Sequence, residues 1–213
     1  MVITRRMYSG GRRFMRSSFK FFLQLAAVIL LVAVSISSGC SSEEDADNAT
    51  LKQIDSLEKA ADNRLLVMDF SSPDEIFYSQ VTASEEQYKE AIDMLYTLGP
   101  TFTLNGFSYE ARLKSLQFKA DFLDVLNAIS ETDEKAENIF KTSTPEFREG
   151  LIEVIDDYEN IRGRILFLQV MGRDIDKTLI DSEYTKVLST IRSELDLMLD
   201  SVDSKISFLM EYR

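Results

Sequence analysis

Residues 151–168 read LIEVIDDYENIRGRILFL, and the spacing of their apolar side chains decides the fold. Leu151, Val154, Tyr158, Ile161, Ile165 and Leu168 recur in steps of three and four. A helix turns once in about 3.6 residues, so these six fall on one face, whereas a strand would alternate by two. Charged groups fill the gaps: Glu153, Asp156, Asp157, Glu159, Arg162 and Arg164. The stretch is an amphipathic helix with one face for a core and one for water.

The same reading extends in both directions. Ser143-Thr144-Pro145-Glu146 opens this helix with capping-box spacing, and Gly172 stands where a C-terminal stop belongs. Upstream, Leu113, Leu116, Ala120 and Leu123 share a face, with Leu126 next in line and Asn127 at its polar edge. Phe118, Phe122, Val125 and Ile129 form an adjacent face, so a helix from near Ser108 to about Lys141 is expected to pack against two neighbours. Leu51, Ile54, Ala61, Leu65 and Met68 make the first stripe. Ser72-Pro73-Asp74-Glu75 then starts a helix carrying Tyr88, Ala91, Ile92 and Leu95, which Gly99-Pro100 stops. Tyr184, Leu188, Ile191, Leu195, Met198, Val202, Ile206 and Leu209 give the last. No segment alternates by two between turn residues. The expectation is an all-α domain over 51–213, an antiparallel up-and-down bundle of four or five helices.

The N-terminal segment differs in kind. Of 24 basic and 36 acidic residues, six basic ones (Arg5, Arg6, Arg12, Arg13, Arg16, Lys20) and no acidic one precede residue 40, which leaves a net of −18 from Cys40 onward. An apolar run from Phe21 to Ile36, broken only by Gln24 and Ser35, leads into Ser37, Ser38, Gly39 and Cys40. A basic segment, an apolar run and small residues are the parts of an export signal. With a cysteine directly after them, the segment resembles the signal peptide and lipobox of bacterial lipoproteins, although Ser37 stands where that family usually has leucine. The resemblance implies cleavage between Gly39 and Cys40 and lipidation of Cys40, so that 1–39 is removed. It also implies that Ser41, rather than aspartate, directs the product to the outer membrane facing the periplasm in a Gram-negative cell. In any other cell the anchor would lie on the outer face of the plasma membrane. The competing reading is an uncleaved anchor, for which the run falls short of the roughly 20 apolar residues of a spanning helix. Arg12-Arg13-Phe14-Met15 also loosely resembles a twin-arginine signal, but the apolar run suits the ordinary export route better. Translation could start at Met1, Met7 or Met15. Residues 41–48, apolar only at Ala46, read as a solvated acidic tether within a 40–50 linking segment.

Several kinds of chemistry are closed off. The chain has no histidine and no tryptophan, and Cys40 is its single cysteine. Triads built on histidine, zinc sites of the common kinds and di-iron carboxylate bundles therefore lack their ligands. Asp174-Ile175-Asp176 with Thr178 resembles the opening of a calcium loop, yet Leu179 replaces the turn glycine and Thr185 the closing glutamate. The acids Glu153, Asp156, Asp157 and Glu159 read as a solvated face rather than an acid/base pair. Gly163 reads either as a close approach to a partner helix or as a tolerated surface glycine. No catalytic residue, metal or cofactor is expected. Net negative charge argues against nucleic acid, so the membrane is met through the lipid.

These features suit a non-enzymatic envelope module whose helical core holds no polar constellation and which binds another envelope protein. A second reading is a lipoprotein that takes a small ligand or peptidoglycan fragment between its helices, with Phe77, Tyr78, Phe102 and Phe107 near helix ends. A third is an immunity protein whose acidic face covers an exported toxin.

Overall fold

A computed structural model describes residues 43–71, 73–99, 109–141, 146–175 and 182–213, of which 45–213 belong to one compact unit. Among the described residues there are five helices and no strand: α1 (Glu43–Val67), α2 (Glu75–Leu98), α3 (Tyr109–Ile139), α4 (Glu146–Asp174) and α5 (Ser182–Met210). The chain is all-α, as the three–four spacing requires. Cys40 and its leader, Ser72, Pro100, Phe102, Phe107, Ser143, Thr144, Pro145, Asp176, Thr178 and Leu179 lie outside the described residues, and Tyr184 and Thr185 outside the described side chains.

Cross-helix pairs fix the directions. Glu58 and Asp62 of α1 meet Lys119 of α3, while Asp55 meets Arg112, so α1 and α3 run parallel. Tyr96 of α2 faces Gln117, and Glu85 faces Asn127, so α2 runs against α3. Lys135 pairs with Asp157 and Lys114 with Asp174, which sets α4 antiparallel to α3. Arg162 to Asp203 and Gln169 to Asp196 reverse the chain again for α5. Consecutive helices from α2 to α5 pack directly on one another, and α3 also touches α5. The wide stripe of α3 is buried: Leu116, Phe118, Phe122, Leu123 and Val125 are all essentially sealed.

Three expectations shift. The segment read as a tether is helical from Glu43. At α2 the cap is Asp74, whose carboxylate accepts from Phe77 N at 2.7 Å, so Pro73 precedes the helix instead of opening it. Gly99 does end α2, with a positive φ of 78°. Gly172 does not end α4. It lies buried two residues inside the helix end, and a Cβ there would come within 2.9 Å of the Phe118 ring. Its sequence signal is a close approach of α4 to α3. Gly163 is exposed with open space around it, the surface glycine of the two readings.

Candidate functional site

The core contains what the sequence reading left out, a cluster of buried charges. Lys119 of α3 is fully buried, and its ammonium donates to Glu58 Oε1 at 2.8 Å and to both oxygens of Asp62 at 2.8 and 2.9 Å. These three contacts match the three N–H donors of an ammonium. Tyr88 of α2 donates its hydroxyl to Asp62, and Lys119 stands over its ring at 5.5 Å from the centroid. Arg112 closes the other side of Glu58 at 3.1 Å and also bonds Asp55. Burial pushes the Asp62 carboxyl up despite the attraction of Lys119, and burial together with Asp62 holds the Tyr88 hydroxyl well above its ordinary value. Charges sealed this way cannot meet a substrate. They tie α1, α2 and α3 in one register.

The arrangement recurs on α3, α4 and α5. Asp133 of α3 accepts from Tyr158 of α4 and from Lys205 of α5, the latter at 2.6 and 2.7 Å, with Lys205 at 5.7 Å from the Tyr158 ring centroid. The aspartate and tyrosine are 26 residues apart in the first set and 25 in the second. Burial and Asp133 together push the Tyr158 hydroxyl up. Unlike the first set, this one opens to water. Asp133 and Lys205 stand at the edge of a groove of about 490 Å³, bounded by the α1–α2 turn on one side and α5 on the other. Phe77 and Tyr78 line its end, their rings edge-on at 5.2 Å, with Phe70 against Phe77 at 5.5 Å.

A second surface lies where α3 and α5 end and α4 begins. Phe140 packs edge-on against Phe147 at 5.6 Å and Tyr212 at 5.5 Å, and Phe208 lies 5.1 Å from Tyr212. Gly150 permits this convergence, since a Cβ there would meet Ile139 at 3.0 Å. Phe140, Phe208 and Tyr212 remain 43%, 50% and 51% exposed. A contiguous aromatic patch left in water is a feature of interaction surfaces. Asp55 of α1 stands toward the other end of the bundle, where it reaches Arg112 near the start of α3. With 31 residues in α3, about 45 Å of helix rise separates the two ends.

Sequence-derived sites fall as follows. Gly39 and Cys40 lie outside the described residues. Glu153, Asp156 and Glu159 are exposed and Asp157 half-exposed, with Glu153 and Asp157 sharing Lys135, so they form a solvated face. Asp174 meets Lys114 at 3.9 Å on the surface. Asn127, read as a polar edge, donates to Glu85 at 2.7 Å. The buried cluster and the aromatic end were both missed. Among the described residues no helix is long and apolar enough to cross a membrane. No family model, no curated protein and no solved structure matches this chain.

Proposed function

We propose that the chain is a lipid-anchored, non-enzymatic module of the cell envelope that presents an aromatic surface to another envelope protein. The carrying observation is the exposed cluster of Phe140, Phe208 and Tyr212 around half-buried Phe147, at the end of the bundle away from Asp55 of α1. Lipidation at Cys40 would put the anchor three residues before α1 in the sequence. An acidic body does not cling to an anionic membrane, and the anchor supplies the address the body lacks. The leader with Ser37-Ser38-Gly39-Cys40 supports processing at Cys40, and Ser41 supports the outer membrane in a Gram-negative cell.

Cys40→Ala should leave the leader attached with no lipid on the N-terminal peptide, whereas a globomycin block should leave the leader attached with the diacylglyceryl group still on Cys40. An unchanged N-terminal mass in both treatments refutes the anchor. Phe140→Ser with Phe208→Ser should release the partner that co-isolates with the wild-type chain while helicity stays constant, and a complex that survives intact refutes the docking role. The groove beside Lys205 favours a second activity, binding of a small ligand.

A further inference from the structure

The groove between the α1–α2 turn and α5 combines an apolar floor with uncompensated negative charge. Met68, Leu126 and Met198 lie nearly sealed at its base, and Leu197 stands on its lip 59% exposed. Around it stand three carboxylates, Asp69, Asp133 and Glu194, with one cation, Lys205. Lys205 donates to both carboxylate oxygens of Asp133, so that pair is neutral. Asp69 is occupied by Ser71, which donates from its backbone N at 3.0 Å and its hydroxyl at 2.6 Å, but among the described residues no cation pairs with it. Glu194 has neither a hydrogen bond nor an ion pair among the described residues, and burial pushes its carboxyl up. A carboxylate that has lost part of its hydration without gaining a partner gains the most from an arriving cation.

We propose that this groove binds a cationic amphiphile, with an amine or guanidinium head paired to Glu194 and an apolar body laid on Met68, Leu126, Met198 and Leu197. The acidic domain draws such a ligand in, and the two flexible methionines let the floor adapt to different chains. An anionic head would meet Glu194 and Asp69 as like charges, and a neutral head would leave Glu194 without a partner. The second Asp–Tyr–Lys set explains why the site is here: it holds α3, α4 and α5 together at the groove's edge while spending Lys205 on Asp133 rather than on Glu194. The site is separate from the aromatic end, so either assignment can fail without the other.

The test is photolabelling of the full chain in zwitterionic nanodiscs with three diazirine probes that share a dodecyl tail and carry an ammonium, a sulfate or a maltoside head. Labelled peptides are mapped by mass spectrometry. The ammonium probe should label the 65–71 and 194–201 segments, with the other two heads at least about tenfold weaker, the ratio one good ion pair supplies. Glu194→Gln, which removes no bond within the fold, should lower ammonium labelling by a similar factor at unchanged circular dichroism. Leu197→Lys, at an exposed position, should do the same by placing a cation on the lip. Equal labelling by all three heads, or undiminished ammonium labelling in both variants, overturns the ligand class. No ammonium labelling of the groove overturns the site.

Discussion

Lys119 carries a full charge to a place water does not reach, so its effect on stability depends on its partners. Replacing it with methionine keeps the apolar stem, strips Asp62 of its cation and leaves Glu58 only Arg112. Breaking a buried pair in this way costs about 3–5 kcal/mol. Lys119→Met should therefore lower the urea midpoint strongly, and adding Glu58→Gln and Asp62→Asn should restore most of the loss. A single variant that unfolds at the wild-type midpoint would show that the cluster contributes nothing. The sign of the pH dependence follows from burial. Folded Asp62 keeps its proton to a higher pH than the unfolded residue, so the folded state gains on the unfolded one as pH falls through that raised value. Without Lys119 the opposing attraction is gone, and the Lys119→Met deficit should shrink from pH 7 to pH 5 in urea titrations. A deficit that widens on acidification contradicts this assignment of the charges. The signal was present in the sequence. Glu58 stands four after Ile54, Asp62 three before Leu65, and Lys119 three after Leu116, so two acids and one base occupy stripe positions on neighbouring helices. Stripe reading passes over such residues because it counts only apolar side chains. Which acid meets which base depends on the parallel register of α1 and α3, and no local pattern contains it.

The helices themselves were legible because their spacing is redundant: each stripe has four or more residues, so no single one decides the helix. Single-residue punctuation has no such redundancy. Gly172 looked like a stop because glycine near a helix end most often is one, yet its lack of a side chain is used by Phe118 across the helix interface. Gly163, the glycine that looked anomalous inside a helix, touches nothing. The two make a matched pair on one element. Gly172→Ala should push on the sealed Phe118 ring and lower stability by about 1–3 kcal/mol, the range for overpacking. Gly163→Ala should raise it by up to about 1 kcal/mol, since alanine is the better helix former and meets open space. Thermal denaturation of the two variants checks both signs, and a Gly172→Ala protein as stable as Gly163→Ala removes the close-approach explanation. The helical start at Glu43 shows the same limit from the other side. An acidic run with no apolar stripe gives no periodicity to read, although its charges suit the first turns of a helix.

At the scale of the whole molecule, alternation of direction decides what meets what. Phe140 follows α3, Phe147 opens α4, and Phe208 and Tyr212 close α5, so an up-and-down chain brings all four to one end. The sequence contained the aromatics and the topology, but only their conjunction marks a surface, and the depth of their exposure is a property of packing. The same conjunction sets that surface at the opposite end of the bundle from Asp55 of α1 and Arg112 of α3. The proposed docking role brings the partner to that end. The most direct measurement is photo-crosslinking in intact cells with a benzoylphenylalanine placed at 208, and at 166 on the side of α4 as a control. The expected result is a discrete protein adduct from position 208, absent from position 166 and lost when Cys40 is changed to alanine. Equal adducts from both positions, no adduct from 208, or an adduct indifferent to Cys40 would contradict a lipid-anchored module that docks through its aromatic end.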